Sequence, residues 1–474
     1  MNEKRRLLKN TGIIAIGGMC TKAVSFLLLP LYTALLSATE YGTVDYVTTL
    51  AAFCVPVMTL LMDEAIFRYL IDYEDAEGRT VVMTTAILVC GVGTVVFCFI
   101  ALPILISIRY EYSFWLFGMA LSSSAVGMIG AILRGMGRSD LYALFSFISG
   151  ASTIILNVTF IAIFRWGVVG MLSAYVVAQG SASVIFFVAQ RLWRYVSLSK
   201  FNRVLAKDML SYSLPLLPNR VAWLIMNLSS RVVIVGSLGA AQNGLYSVAS
   251  RFPTIMDTIY GFFYLSWKES AARSRNSGES EKDFYIEMYG LLRRATFSLT
   301  LLLIAFMPVI FSVLINEQYS EAIVYVPVLL FAMYNQNMSG FYGGIFSAYK
   351  DTKIMGTTTI VAAVVNLGLN LILIPFAGLY GAAFATFVSI GITSLWRLRS
   401  LRKYVVLMPS RKETALFALF AIVSMMLFYF ARFEGFWWLT IVNMVLTSVF
   451  FLCVNRRVLL SAVKEMRRHF ARRG

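Results

Sequence analysis

The chain has 474 residues, of which 59% are hydrophobic and only 14% charged. A soluble domain carries about 25% charged and about 45–50% apolar residues, so this chain lacks the polar side chains to cover a soluble core, and a soluble globular protein is excluded. Its formal charge of +17 fits basic residues that orient membrane loops rather than nucleic acid, which is not an expected partner.

A membrane-crossing helix needs about 20 mainly apolar residues. Runs of that length fall near 12–36, 43–66, 80–108, 113–134, 141–164, 168–190, 213–238, 244–266, 295–315, 322–346, 354–375, 379–396, 414–431 and 436–455. The reading is therefore an all-α integral membrane protein of about fourteen spans. No small-residue cleavage site follows the first run, which is read as a retained span rather than a signal peptide. The expected organisation is a first lobe over 1–190 (spans one to six), a cytoplasmic amphipathic linker over 191–212 and a second lobe over 213–400 (spans seven to twelve). Spans thirteen and fourteen and a basic cytoplasmic tail occupy 401–474.

Basic residues support this count. With the N-terminus inside, outward segments carry only Arg109, Arg165 and Arg432, and Lys22, Arg220, Arg231 and Arg251 lie within spans. Every other Lys and Arg falls in an inward segment. One missed or invented helix would invert all later loops and destroy that asymmetry. Both termini are expected in the cytoplasm.

The pattern also repeats. Ala38-Thr39-Glu40-Tyr41-Gly42 joins the first two spans and Ala240-Ala241-Gln242-Asn243-Gly244 joins the seventh and eighth. Gly167-Val168-Val169-Gly170 joins the fifth and sixth, and Gly378-Leu379-Tyr380-Gly381 the eleventh and twelfth. The two pairs keep nearly the same offset, and six is an even number, so the two six-span lobes are parallel-related about an axis along the membrane normal. Two C-terminal helices lie outside the repeat. Three amphipathic stretches, around Arg5 and Leu8, over 201–209 and over 458–470, read as helices at the cytoplasmic interface.

A charge inside a span costs about 2.5–3.5 kcal/mol on insertion scales and usually faces a cavity. Lys22 sits near the middle of span one. In span seven, Arg220, Asn227 and Arg231 form a narrow stripe, the two arginines about 16 Å apart along the axis. Arg251 shares a face of span eight with Thr254 and Thr258. Asp257 is the clear acid at comparable depth. Asp63 and Glu64 lie near the inner end of span two, Glu64 spaced for an i,i+4 pair with Arg68, and read as gate or ion-coupling residues. A net-positive hollow in low dielectric attracts anions. Prolines such as Pro30, Pro56, Pro215 and Pro253 break the backbone ladder and permit bending.

Enzyme chemistry finds no support. Gly135-Met136-Gly137 lacks the Lys-Ser/Thr of a phosphate-binding loop. The outward loops are too short to hold a sugar-transfer site. Five cysteines in apolar runs and a lone His469 offer no metal centre, and no cofactor is expected.

Thr21-Lys22-Ala23-Val24-Ser25-Phe26-Leu27-Leu28-Leu29-Pro30, the Ala-Thr-Glu-Tyr-Gly turn, Ala65-Ile66-Phe67-Arg68-Tyr69 and Ser213-Leu214-Pro215-Leu216-Leu217-Pro218 together resemble polysaccharide-biosynthesis flippases of the Wzx type. These belong to the multidrug/oligosaccharidyl-lipid/polysaccharide exporter superfamily. The resemblance spans essentially the whole chain. It implies two six-helix lobes forming a V around a central cavity, in the inner membrane of a bacterium. It also implies a lipid-linked oligosaccharide substrate on an undecaprenyl pyrophosphate carrier, moved from the inner to the outer leaflet for surface polysaccharide assembly. Lys22, Arg231 and Arg251 would hold the pyrophosphate, Arg220 would guard the inner entrance and Asn227 would contact sugar. Coupling would run on H+, Na+ or the membrane potential. A cation-coupled multidrug exporter and a peptidoglycan-precursor lipid flippase are the alternatives within the superfamily.

Overall fold

The computed structural model describes residues 28–73, 75–107, 110–274, 279–408 and 410–471. Among these residues the fold is all helical, and ten helices are long and apolar enough to cross a membrane. Contacts group the chain into two compact units, one ending at Gly244 and the other running from Leu245.

In the first unit the short α1 (Leu29–Leu35) is the described end of the first predicted span. It leads into α2 (Ala38–Thr59), whose start is set by a capping box. Ser37 Oγ accepts from the Glu40 amide and the Glu40 carboxylate accepts from the Ser37 amide, so two donors that a helix start leaves open are satisfied reciprocally. The second predicted span is not one helix. Leu60 and Leu61 both take left-handed backbone angles (φ 53° and 54°) and separate α2 from α3 (Met62–Asp72). Leucine is a good helix former, and left-handed leucine costs roughly 1–2 kcal/mol, so packing must impose the break. Pro56 has already removed one ladder donor upstream. Gly93 then brings the next helix so close that a side chain there would meet the Met58 carbonyl oxygen at 2.5 Å.

The unit continues with α4 (Ala76–Ser107), α5 (Ser113–Gly135), α6 (Ser139–Asn157, extended by a π-turn over Val158–Ile163) and α7 (Gly167–Ala189). The segment after α7 holds two 3₁₀ turns (Leu192–Tyr195, Leu198–Lys200) and α8 (Arg203–Ser213), started by Asn202, whose side chain accepts from the Val204 and Leu205 amides. Its amphipathic pattern is realised against protein: Leu205 and Met209 join Leu192 in one core with Met62, Ile66 and Leu70 of α3. Polar bonds tie the same segment to α4. Ser197 donates its amide to Thr84 Oγ1 at 2.9 Å, and Lys200 pairs with Glu77 at 2.5 Å. After Leu214–Leu216 comes α9 (Leu217–Leu238), with Pro218 in its first turn, where a missing amide costs nothing. The first turn of α10 (Ala240–Ser274) closes the unit at Gly244.

The second unit holds the rest of α10, α11 (Glu279–Leu314), α12 (Val326–Ala348), α13 (Thr352–Leu401), α14 (Arg411–Phe433) and α15 (Trp437–Ala471). Two predicted spans form the legs of α13. Gly378, at φ 57° and ψ −137°, ends the first leg, and Gly381 lets the second start against the Leu373 backbone, where a Cβ would collide. The two C-terminal helices are fastened to α11. Arg293 and Arg294 reach Glu413 of α14 at 3.6 and 3.1 Å. Asn455 of α15 donates to Ser298 Oγ at 2.8 Å, and the Phe297 and Phe417 rings stack at 4.5 Å.

Candidate functional site

The first unit brings together the two turns paired in the sequence. A Cβ on Gly42 would collide with the Ala240 carbonyl oxygen, and one on Gly244 would collide with the Ala38 carbonyl oxygen. Gly42 and Gly244 are corresponding positions, as are Ala38 and Ala240, so the contact is reciprocal and close to two-fold symmetric. Only glycine permits backbones to approach this closely.

A buried polar network locks the contact. Asn243, fully buried, donates from Nδ2 to the Gly42 carbonyl at 2.7 Å and reaches Asp45 Oδ2 at 3.4 Å. The same Asp45 oxygen accepts from Arg231 Nε at 3.0 Å, with side-chain exposures of 7% and 13% for the acid and the arginine. Arg231 Nη1 also donates to the Asn227 carbonyl, one turn back, at 3.2 Å. Asp45 lies seven residues from the start of α2 and Arg231 seven from the end of α9. Both thus sit about 10 Å along their helices from the turns.

The other predicted residues are distributed as follows. Lys22 lies outside the described residues. Arg220 is exposed in the first turn of α9, and Asn227 is exposed with its amide donated to the Trp223 carbonyl at 3.2 Å. Arg251 and Asp257 are half-buried on α10, with Thr254 exposed one turn along from Arg251. Asp63 and Glu64 occupy the first turn of α3, just past the left-handed leucines. The half-buried Asp63 points to α5, 3.9 Å from where a Cβ of Gly127 would lie. Glu64 is exposed. The expected Glu64–Arg68 pair does not form. Arg68 Nη1 instead pairs with Asp72, one turn on in the C-terminal direction, at 2.6 Å.

Two buried charged groups lie where the sequence does not mark them as buried. Asp45 falls at the very start of its predicted span, where an acid reads as interfacial. Its depth, matching that of Arg231 from the repeated turns, is the signal that would have found it. Arg397 follows the end of its apolar run, where the sequence predicts an inward loop, yet it is buried on the second leg of α13 at 4% exposure. Its guanidinium donates to Thr358 Oγ1 (2.9 Å), Thr359 Oγ1 (3.1 Å), and the Met355 (3.0 Å) and Ser339 (3.2 Å) carbonyls. Among the described residues no carboxylate pairs with it.

Residues 7–266 match the family model for polysaccharide biosynthesis proteins. An uncharacterised membrane protein of Methanocaldococcus jannaschii is 22% identical over 463 residues, covering 90% of each chain. Among solved structures, a lipid II flippase, MurJ, in an inward closed conformation superposes with a TM-score of 0.68 at 14% identity, covering 94% of this chain and 99% of that one. An inward-facing MATE family multidrug resistance transporter of the MOP superfamily gives 0.65 at 18% identity, covering 81% and 96%. This is a multi-pass membrane protein with the fold of that superfamily, and it belongs to the family of polysaccharide biosynthesis proteins.

Proposed function

We propose that the chain is a flippase that carries a polyprenyl-pyrophosphate-linked oligosaccharide from the inner to the outer leaflet of a bacterial cell membrane by alternating access, with both termini in the cytoplasm. The observation that carries the reading is the network of Asp45, Arg231 and Asn243 beside the reciprocal Gly42–Gly244 contact. A carrier that opens to one side at a time needs a closure that is tight yet reversible. Backbone contact through glycine with one buried ion pair meets that need: it excludes water when shut, and each charged partner regains hydration when it opens. Family membership supports the polysaccharide pathway.

In this reading Arg231 belongs to the outward closure, at the end of α9 that leads into an outward turn. It meets cargo only when the closure parts. Lys22 and Arg251 hold the pyrophosphate, Arg220 stands at the inner mouth of α9, and Asn227 faces the sugar. Asp63 supplies a cation-coupling group, since no ion pair or hydrogen bond reaches its carboxylate among the described residues. Asp257 serves the same end from α10. The fold shared with the MATE transporter supports a second reading, a cation-coupled drug exporter, and the same fold accommodates a peptidoglycan-precursor flippase.

Transport of a fluorescent polyprenyl-pyrophosphate sugar into the outer leaflet of proteoliposomes tests the proposal. Lys22→Ala and Arg251→Ala are expected to lower the rate at least about tenfold, each removing a charge-assisted contact. Unchanged rates in both would overturn the cationic-cargo mechanism. Ion-driven efflux of cationic dyes that survives both substitutions and fails in Asp63→Asn would favour the exporter.

A further inference from the structure

The first unit contains a groove that the transport reading does not use. It encloses about 700 Å³ between α2, α4 and α8, within the range of small-molecule sites. Its walls are Val57 of α2, Leu60 just past its end, and Val92, Val96 and Ile100 of α4. The three α4 residues are each more than half exposed. The groove begins where α2 unwinds at the left-handed Leu60. Its roof is the segment before and within α8, through Phe201, Ala206 and Leu210.

Those three roof residues also line a second furrow of about 630 Å³, whose remaining wall carries Arg203 and Lys207. The two cations are i,i+4 on one face of α8, and both are exposed. Neither pairs with a carboxylate among the described residues, whereas the nearby Lys200 is already taken by Glu77. Asp208 lies about 100° round the helix and does not line the furrow. An apolar slot and a two-cation cradle thus share the same three roof residues.

We propose that this groove binds an anionic phospholipid, with one acyl chain along α4 and the phosphate on Arg203 and Lys207. The wall chemistry selects the occupant. The slot is apolar and open along exposed α4 side chains, which suits a chain exchanging with the bilayer. The cradle has two positive groups and no acid to accept a choline or ethanolamine headgroup. Apart from Ser211 it offers no polar side chain for sugars, which argues against the oligosaccharide cargo. The lipid lies against the segment that joins α7 to α9 and braces it on α4. This inference is independent of the transport reading.

Native mass spectrometry of the full-length protein with equimolar phosphatidylglycerol and phosphatidylcholine tests it. Two basic contacts predict a preference of about tenfold or more for phosphatidylglycerol. Arg203→Ala with Lys207→Ala should abolish the preference while leaving some binding of both lipids. Val96→Trp, at an exposed wall position that tolerates bulk, should reduce the retention of both. Equal retention of the two lipids by the wild-type protein, or a preference that persists in the double variant, overturns the proposal. Full displacement of phosphatidylglycerol by an equimolar polyprenyl phosphate overturns it as well, by assigning the groove to the carrier lipid.

Discussion

Asp45 and Arg231 illustrate what a buried ion pair does in a membrane protein. The pair gains little net stability over an apolar pair of similar shape, but removing one partner strands the other and typically costs about 3–5 kcal/mol. Arg231→Met, which leaves the Asp45 carboxylate buried without this cation, is expected to destabilise the protein by that amount, and Asp45→Asn to destabilise it too, both lowering the unfolding temperature in detergent. The double variant should cost less than the sum of the two, since the stranded charge is gone. Additive single effects would mean that the two side chains act independently. The basic side of this site was legible from the stripe of Arg220, Asn227 and Arg231, but its acid was not. Depth in a span is judged from apolar run ends, and those blur by several residues where α2 starts at Ala38, inside a polar turn. Arg397 was missed for the same reason at the other end of a run. Leu398 and Leu401 continue the helix beyond the hydropathy edge at residue 396.

At the scale of helices, breaks carried by glycine could be read and breaks imposed by packing could not. The Gly-Leu-Tyr-Gly turn announces the two legs of α13, because Gly378 alone tolerates φ 57° with ψ −137°. Leu60 and Leu61 announce nothing, since leucine is a good helix former and nothing local to them calls for left-handed angles. The ends of α13 are fastened by a polar knot outside the spans. Lys403 bonds to Asp351, which also accepts from Tyr404 Oη at 3.0 Å. The hydrogen bond from Lys403, then that from Tyr404, holds the Asp351 carboxyl below its ordinary range. A carboxyl lowered by folding adds stability that is fully present above the unfolded value, near 3.9, and is lost as pH falls through the folded one. Unfolding temperature should therefore drop more steeply on acidification below about pH 4 in the wild-type protein than in Asp351→Asn. The difference should shrink in high salt, because the site is partly exposed. Parallel pH profiles for the two proteins would remove the knot from the account.

For the molecule as a whole, the apolar runs carried the all-helical membrane fold. These signals are spread over hundreds of residues and survive errors at any one boundary. The repeat proposed from the sequence rests on short glycine turns alone. That two of these turns touch each other follows from the packing of α2 against α9 and not from the motifs. The reciprocity of that touch makes a sharp prediction. Gly42→Ala places a methyl against the Ala240 carbonyl, and Gly244→Ala places one against the Ala38 carbonyl. In both cases the obstacle is backbone, which cannot swing away, so each substitution must part the turns by overpacking, at about 1–3 kcal/mol. The two variants should match each other in lost thermal stability and in lost transport. The double variant should add little to either loss, since turns already parted leave room for the second methyl. Tolerance at one glycine with failure at the other would show that the closure is not symmetric, and that its lock resides in the Asp45–Arg231 pair alone.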